Sequence, residues 1–304
     1  MSENRPPKTD ARPSPKKAAL KKAGSGKSDH KPAWQRDKKG GSKDGWRKSG
    51  SKAGGAKTGK VSGPTNPDHV WIYGLHAVSA ALENAKRIPH ALTLTENAAR
   101  RLGARIEGDL PSHTIVRPKD LDKILGADTV HQGALLETSQ LPEPSLEDLT
   151  EAAHAGPIVL LDQITDPHNV GAILRSAAVF GAAGVIMTWR HSPPLDATLA
   201  KSASGALELI PILRVQNLAR TMDEIKSQGI AVIGLEGSAE AKLEDQAFSE
   251  PTAIVLGAEG KGLRQLTAQN CSLMCRIAAS GALASLNVSN AAAVALHLAS
   301  MRRA

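Results

Sequence analysis

IVLLDQITDPHNVGAILRSAAVFGAAGVIM, residues 158–187, contains the alternation that decides the fold. It starts with the apolar run Ile158–Leu161, which is typical of a strand buried on both faces of a sheet. A polar loop containing Asp166, Pro167 and Asn169 follows, with Asn169 as the candidate N-cap of the next helix. A helical pattern over Val170–Phe180 and a second apolar run at Val185–Met187 come after it. A strand, a helix and a strand in this order predict a βαβ unit with parallel strands.

The same alternation continues to the end of the chain. Further strands are predicted at Leu209–Leu213, Ile230–Ile233, Ile254–Leu256 and Leu273–Ile277, and further helices at Ala197–Ser204, Leu218–Ser227, Leu263–Gln269 and Ser289–Met301. This pattern predicts a doubly wound α/β domain over residues 156–304. Ligands of such domains bind beyond the carboxyl ends of the strands, so the loops there are the place to look for chemistry.

A smaller α/β domain is predicted over residues 67–140. Its helix candidates are 76–82 and Lys119–Leu125, and its strand candidates are Ala91–Leu94, Thr114–Val116 and Ala134–Thr138. Residues 141–155 are predicted to form a linker, because Pro142 and Pro144 open a stretch of low apolar content.

Residues 1–66 are predicted to be a disordered basic tail. They hold 18 Lys and Arg against 5 Asp and Glu, so they carry more than the net charge of +8 of the whole chain. Such a segment buries too little apolar surface to order itself. A flexible polycation concentrates a protein on RNA by counterion release, and Trp34 and Trp46 could stack on unpaired bases. The alternative is a tail that only improves solubility.

Several other functions are disfavoured by the sequence. No run of about 20 apolar residues and no secretory signal is present, so a cytoplasmic protein without membrane partners is expected. Gly24–Ser28 reads GSGKS but has Lys21 where a phosphate-binding loop needs glycine. Cys271 and Cys275 lack nearby His or Cys partners, so no metal site is expected.

Three loops at predicted strand ends carry the candidate site residues. They hold Asn169 and Arg175, then Gly257 and Glu259, and then Ser285 and Asn287. Arginine suits a phosphate or carboxylate, although a surface role for Arg175 is an equal alternative. The glycines of the second loop permit close approach of the backbone to a ligand. In the third loop, one of the Ser and Asn residues must cap the following helix.

The three loops together resemble the SpoU family of RNA ribose 2′-O-methyltransferases. The resemblance is carried by Asn169-x-Gly171-x-x-x-Arg175, Gly257-x-Glu259-x-x-Gly262 and Ser285-Leu-Asn287-Val-Ser289, in the family's order and spanning 157–302. It implies a trefoil-knotted domain that binds S-adenosylmethionine. The implied cofactor contacts are Leu256, Gly257, Ile277, Leu286 and Asn287, and the implied catalytic residues are Asn169, Arg175, Glu259, Ser285 and Asn287. Ala278 stands where relatives often have proline, which puts the rigidity of that loop in doubt.

Residues 72–82 and His131-Gln132-Gly133 resemble the RNA-substrate-binding domain that many members of the family carry. This part is most similar to the branch that methylates a guanosine of large-subunit (23S) ribosomal RNA. Transfer RNA is the alternative substrate, and a non-catalytic RNA-binding protein is the alternative from another class. The resemblance also implies a homodimer, with an interface on the helix Ser289–Met301 and part of the first-motif helix.

Overall fold

The computed structural model describes residues 63–64, 66–106, 113–248, 251–281 and 286–301. The predictions for residues 1–62, which include the two tryptophans and the GSGKS sequence, therefore lie outside the described residues. In the described part of the chain, no helix is long and apolar enough to cross a membrane.

The first folded part is a small α/β domain built on a mixed sheet. Its elements are β1 (His69–Tyr73), α1 (Leu75–Glu83), β2 (Pro89–Leu94), α2 (Glu96–Leu102), β3 (His113–Ile115), α3 (Pro118–Leu125) and β4 (Ala134–Ser139). The sheet order is β1-β4-β2-β3, with β4 antiparallel to both neighbours and β2 parallel to β3. The α/β class predicted for this part is confirmed, and β1 is a strand that begins the sheet.

The second part is a larger α/β domain with a parallel sheet. Its elements are α4 (Leu146–Ala152), β5 (Ile158–Asp162), α5 (Pro167–Val179), β6 (Gly184–Thr188), α6 (Ala197–Ala203), β7 (Ile212–Val215), α7 (Leu218–Ser227), β8 (Ala231–Leu235), β9 (Ala241–Lys242), β10 (Thr252–Gly257), α8 (Gln265–Gln269), β11 (Leu273–Arg276) and α9 (Val288–Met301). The strand order is β7-β6-β5-β10-β8-β11-β9 and each of these neighbours pairs in parallel. The doubly wound fold is confirmed.

Alternate residues of β5 enter two different cores, which is why its sequence is apolar throughout. Val159 and Leu161 pack with α5, α6 and α9, whereas Ile158 and Leu160 pack with α4 and α7. Burial on both faces is the expected environment of a central parallel strand.

One strand prediction was displaced. The apolar run Leu209–Leu213 was predicted as a strand, but β7 is Ile212–Val215 and a short 3₁₀ helix, Ala206–Glu208, ends just before Leu209. Leu209 is largely exposed, so its apolar side chain does not indicate a position in the sheet. The run joins the end of a turn to the start of a strand, and hydropathy alone does not separate the two.

The predicted linker, residues 141–155, is partly folded. Ser145 and Asp148 form a capping box that begins α4, and Leu149 of this helix is buried in the core against α7. The prolines at 142 and 144 mark the irregular part only. The linker prediction was therefore wrong for 146–152.

A buried ion pair joins the small domain to the larger one. Arg87 donates from Nε and Nη2 to the two carboxylate oxygens of Glu208, each at 2.9 Å, and both side chains are almost fully buried. Arg87 also donates to the carbonyl of Ser139, and Asn84 donates to Glu208. Every oxygen of the carboxylate is thus satisfied, which a buried charge requires.

The trefoil knot implied by the resemblance stays a prediction. Residues 282–285, which precede α9, are not among the described residues.

Candidate active site

The first loop places Asn169 inside the first turn of α5. Asp166, not Asn169, is the N-cap, because its carboxylate accepts from the backbone N–H of His168 at 2.9 Å and Pro167 takes the first helical position. The prediction that Asn169 caps this helix was wrong. Its amide side chain is therefore available for contacts outside the helix.

Gly171 of the first motif has a packing role. A Cβ at this position would lie 2.5 Å from Cβ of Ser202, so α5 and α6 can approach each other only because residue 171 is glycine. The structure therefore explains this motif residue without a ligand.

The second loop folds back on the end of β10. Gly262 donates its N–H to the carbonyl of Ala258 at 2.8 Å, and a Cβ at Gly257 would lie 2.3 Å from the carbonyl carbon of Gly262. Gly262 itself has φ of 66°, which favours glycine. The close turn therefore depends on glycine at both of its ends.

Sequence reasoning missed the residue that anchors this loop. Asp162, at the buried end of β5, accepts from the backbone N–H of Arg264 at 2.9 Å and from its Nε at 2.7 Å. A carboxylate directly after an uninterrupted apolar strand was the available signal, since a buried charge needs a partner. The ion pair ties the second loop to the strand that precedes the first.

The third loop begins α9 with Asn287. Its Oδ1 accepts from the backbone N–H of Ser289 at 2.8 Å and from the hydroxyl of Ser289 at 2.6 Å, which is helix capping. Asn287 is thus the capping residue that the sequence required without identifying it. Ser285, predicted as catalytic, lies outside the described residues.

Side chains from all three loops meet in one cluster of Asn169, Glu259 and Asn287. Asn169 donates to Oε1 of Glu259 at 3.2 Å, and Asn287 donates to Oδ1 of Asn169 at 3.0 Å. Asn287 also donates to Oε1 of Glu259. These residues are 28 to 118 positions apart in sequence, so the fold and not local chain geometry brings them together. We call this group the amide–carboxylate cluster.

A cavity of about 490 Å³ lies beside the cluster. The predicted cofactor contacts Leu256, Gly257, Ile277 and Leu286 all line it, together with Glu259. Asn287, the fifth predicted contact, lies between the lining residues Leu286 and Val288 and has its side chain in the cluster. The volume and the mixture of apolar side chains with accessible loop backbone fit a nucleoside-sized cofactor such as S-adenosylmethionine.

The loop after β11 is held in place although it lacks a proline. Ala278, the residue that departs from the family pattern, donates its backbone N–H to Oε1 of Glu244 at 2.9 Å. This side-chain hydrogen bond therefore restrains the backbone at Ala278, where no proline is present.

Arg175 does not join the cluster. It is exposed on α5 and lines a different cavity of about 650 Å³, together with Glu83 and Asn84 at the end of α1. It makes no hydrogen bond or ion pair with another residue in the described part of the chain. Six residues of helix separate it from Asn169, which is about 9 Å along the axis.

The two cysteine thiols are unreactive at neutral pH. Burial raises the pKa of Cys271 to about 11, and burial also raises the pKa of Cys275, so both thiols are protonated at neutral pH. In the described ranges, no group of three or more His, Cys, Asp or Glu side chains could hold a metal ion.

Two family models and several relatives match this chain. Residues 156–297 match the model of the SpoU rRNA Methylase family, and residues 71–144 match a model described as RNA 2′-O ribose methyltransferase substrate binding. The chain is similar to the 23S rRNA (guanosine-2′-O-)-methyltransferases RlmB of Pseudomonas aeruginosa, at 39% identity over 74% of this chain and 93% of the relative, and of Vibrio parahaemolyticus, at 40% over 77% and 97%.

A solved structure shares the fold. The SpoU methyltransferase AviRb from Streptomyces viridochromogenes, in complex with AdoMet, superposes with a TM-score of 0.65 at 24% identity and covers 78% of this chain and 91% of its own. The family models and the relatives define an S-adenosylmethionine-dependent RNA 2′-O-methyltransferase. The chain belongs to the SpoU rRNA methylase family.

Proposed function

We propose that this protein transfers a methyl group from S-adenosylmethionine to the ribose 2′-hydroxyl of a guanosine in 23S ribosomal RNA. The observation that carries the proposal is the amide–carboxylate cluster beside a cavity lined by the predicted cofactor contacts. The choice of guanosine and of 23S rRNA is supported by the names of the relatives, which match over both folded domains. Ribosomal RNA as substrate also agrees with the expected cytoplasmic location.

The chemistry requires a positioned hydroxyl and an acceptor for its proton. When bound, S-adenosylmethionine supplies an electrophilic methyl group. A 2′-hydroxyl is a poor nucleophile, so its proton must be accepted as it attacks. Glu259 is the only carboxylate of the cluster, and the amides of Asn169 and Asn287 both donate to its Oε1. They fix the orientation of the carboxyl group, and we assign proton acceptance to Glu259.

Arg175 is assigned to the RNA. A guanidinium is a planar donor for phosphate and, because it stays protonated in proteins, a poor base. Within one protomer Arg175 lies outside the cluster, so the proposal includes a homodimer in which Arg175 serves the site of the partner. The exposed face of α5 supports this interface, because Val179 is 76% exposed one turn beyond Arg175.

The shared site can be tested by mixing two inactive variants, Arg175→Ala and Glu259→Ala. If Arg175 acts across the dimer, half of the randomly mixed dimers contain one intact site, and about a quarter of the wild-type activity returns. If Arg175 acts within its own protomer, the mixture stays inactive. Sedimentation of the separate variants verifies that each forms the same dimer.

The activity itself is tested with 23S rRNA transcribed in vitro and S-adenosylmethionine labelled in its methyl group. We expect label in one nucleotide, with the adjacent phosphodiester resistant to alkali because the 2′-oxygen is blocked. Glu259→Ala abolishes transfer, whereas Glu224→Ala, on the exposed surface of α7, is a matched control that leaves it unchanged. Label in a base, or in tRNA in place of 23S rRNA, contradicts the proposal. Failure to bind S-adenosylmethionine in a calorimetric titration favours the non-catalytic alternative.

A further inference from the structure

The small domain contains a cavity of about 900 Å³ between α2 and α3. It is lined by Arg100, Arg101, Ile115, Arg117 and Pro118, with the turn at Gln132 at one side. We call it the arginine cavity. None of its residues belongs to the methyl-transfer site or to the contact with the larger domain through Arg87.

Arg100 and Arg101 give the cavity a net positive charge, because Glu96 is the only carboxylate among the described lining residues that is not already paired. Both are exposed near the end of α2, and neither makes an ion pair or side-chain hydrogen bond with another residue in the described ranges. Of the two carboxylates that line the cavity, Asp120 is already paired with Lys123 and Arg117. Two free guanidinium groups side by side are suited to phosphate oxygens.

Part of the cavity wall is apolar. Ile115 is 46% exposed on the edge strand β3, and Val116 and Pro118 continue this wall. A surface that combines free guanidinium groups with exposed aliphatic side chains matches a nucleotide, which presents a phosphate next to a ribose and a base. A duplex presents mainly phosphates and a groove, so it leaves the apolar wall unused.

The cavity is preformed by the turn between its two walls. Gly133 lies against α2, where a Cβ would come within 2.2 Å of the hydroxyl of Thr95, the N-cap of that helix. His131 contacts Asp122 of α3 at 3.1 Å and accepts from the N–H of Gly133. One turn therefore fixes both helices, and little order remains to be created when a ligand binds.

We propose that the arginine cavity binds a single-stranded segment of the RNA substrate, with Arg100 and Arg101 on its phosphates and Ile115 against a ribose or base. No Phe, Tyr or Trp side chain lines the cavity in the described part of the chain, and the one imidazole in its lining, that of His131, is buried and already contacts Asp122 and Gly133. The proposal rests on the proposed function, because the RNA held here is the substrate of the methyl transfer. It supplies a binding site that the methyltransferase domain does not provide.

The test compares the full-length protein with its Arg100→Glu/Arg101→Glu double variant, using the 23S rRNA transcript as substrate. We expect KM for RNA to rise at least tenfold, at about 1.4 kcal/mol per tenfold change, while kcat and cofactor affinity stay within twofold. Loss of two phosphate contacts should also reduce the slope of log Kd against log salt by about 1.4. Arg220→Glu, an exposed arginine on α7, is the matched control and should change none of these values. Arg100→Gln/Arg101→Gln removes the charge without reversal if the first variant folds poorly.

A second readout locates the RNA independently of catalysis. An oligouridylate containing 4-thiouridine should crosslink to residues 113–118 of the wild type and not of the double variant. An unlabelled single strand should compete for this crosslink, and a duplex of the same length should not. An unchanged KM, a crosslink that survives the substitutions, or equal competition by duplex overturns the inference. If the wild type crosslinks here but does not methylate 23S rRNA, the proposed function fails and the cavity assignment stands.

Discussion

The two motif regions of this chain use their residues in different ways. In the methyltransferase domain, Asn169, Glu259 and Asn287 project from three loops into one cluster. In the small domain, the residues of the His131-Gln132-Gly133 sequence make contacts that hold the fold together. Gln132 accepts from the N–H of Leu75 at the start of α1, and His131 and Gly133 join α2 to α3. A recognisable motif therefore marks a chemical centre in one domain and a folding requirement in the other.

The difference lies in what surrounds each motif. The loops at the carboxyl edge of a parallel sheet have their backbone fixed by neighbouring elements, as Asp162 fixes Arg264, so their side chains are free to act. The turn at 131–133 must itself satisfy the first backbone N–H of α1, whose N-cap is Gly74 and supplies no side chain. In the small domain the residues available for RNA are those outside the motif.

The contact between the two regions carries the largest expected effect. Arg87→Ala leaves the carboxylate of Glu208 buried without its cation, and we expect the free energy of unfolding to fall by about 3–5 kcal/mol. Denaturant unfolding measures this value. Arg105→Ala removes an exposed ion pair with Glu83 of the same domain and should change stability little. An equal decrease in the free energy of unfolding in the two variants would show that the Arg87–Glu208 pair does not join the domains.

The next largest effect is expected on cofactor binding, from crowding at the second loop. Gly257→Ala places a methyl group against the backbone of Gly262, so the loop must move and the cavity wall is lost. We expect the Kd for S-adenosylmethionine to rise about 100-fold, or about 2.7 kcal/mol. Gly281→Ala is the control, since a Cβ there meets no atom of the described residues within 4 Å apart from its chain neighbours. Calorimetric titration in which both variants bind equally would place the cofactor elsewhere.

A smaller effect separates folding from RNA binding in the small domain. Gln132→Ala leaves the N–H of Leu75 without its acceptor, and the expected loss of stability is about 1 kcal/mol. KM for RNA should rise far less in the folded variant than in Arg100→Glu/Arg101→Glu, because Gln132 lies at one side of the arginine cavity but carries no charge. Gln140→Ala, an exposed residue after β4, should alter neither quantity. A higher KM with unchanged stability would assign Gln132 to RNA and remove the contrast between the two motifs.

Much of the fold follows from periodicity, and part of the site follows from the motifs. The buried strands could be located from the sequence because both of their faces are apolar, as in β5. The strand at 209–213 was displaced because Leu209 is apolar and yet exposed at the end of a turn. Asn169 was wrongly taken for a cap because Asp166 and Asn169 are both capping residue types, and only tertiary contact shows that Asn169 bonds Glu259. Arg100 and Arg101 were not singled out from the sequence, since no pattern in it shows that they line one cavity with β3.

A double-mutant cycle of methyl transfer most directly tests whether the three loops form one chemical unit. Single-turnover rates are measured for Asn169→Ala, Glu259→Ala and the double variant, each saturated with cofactor and RNA. Each single substitution should slow transfer by about 100-fold or more, and the double variant should be no slower than the slower single one, because both remove the same oriented carboxylate. Losses that multiply in the double variant would show that Asn169 and Glu259 act independently and would contradict a shared centre.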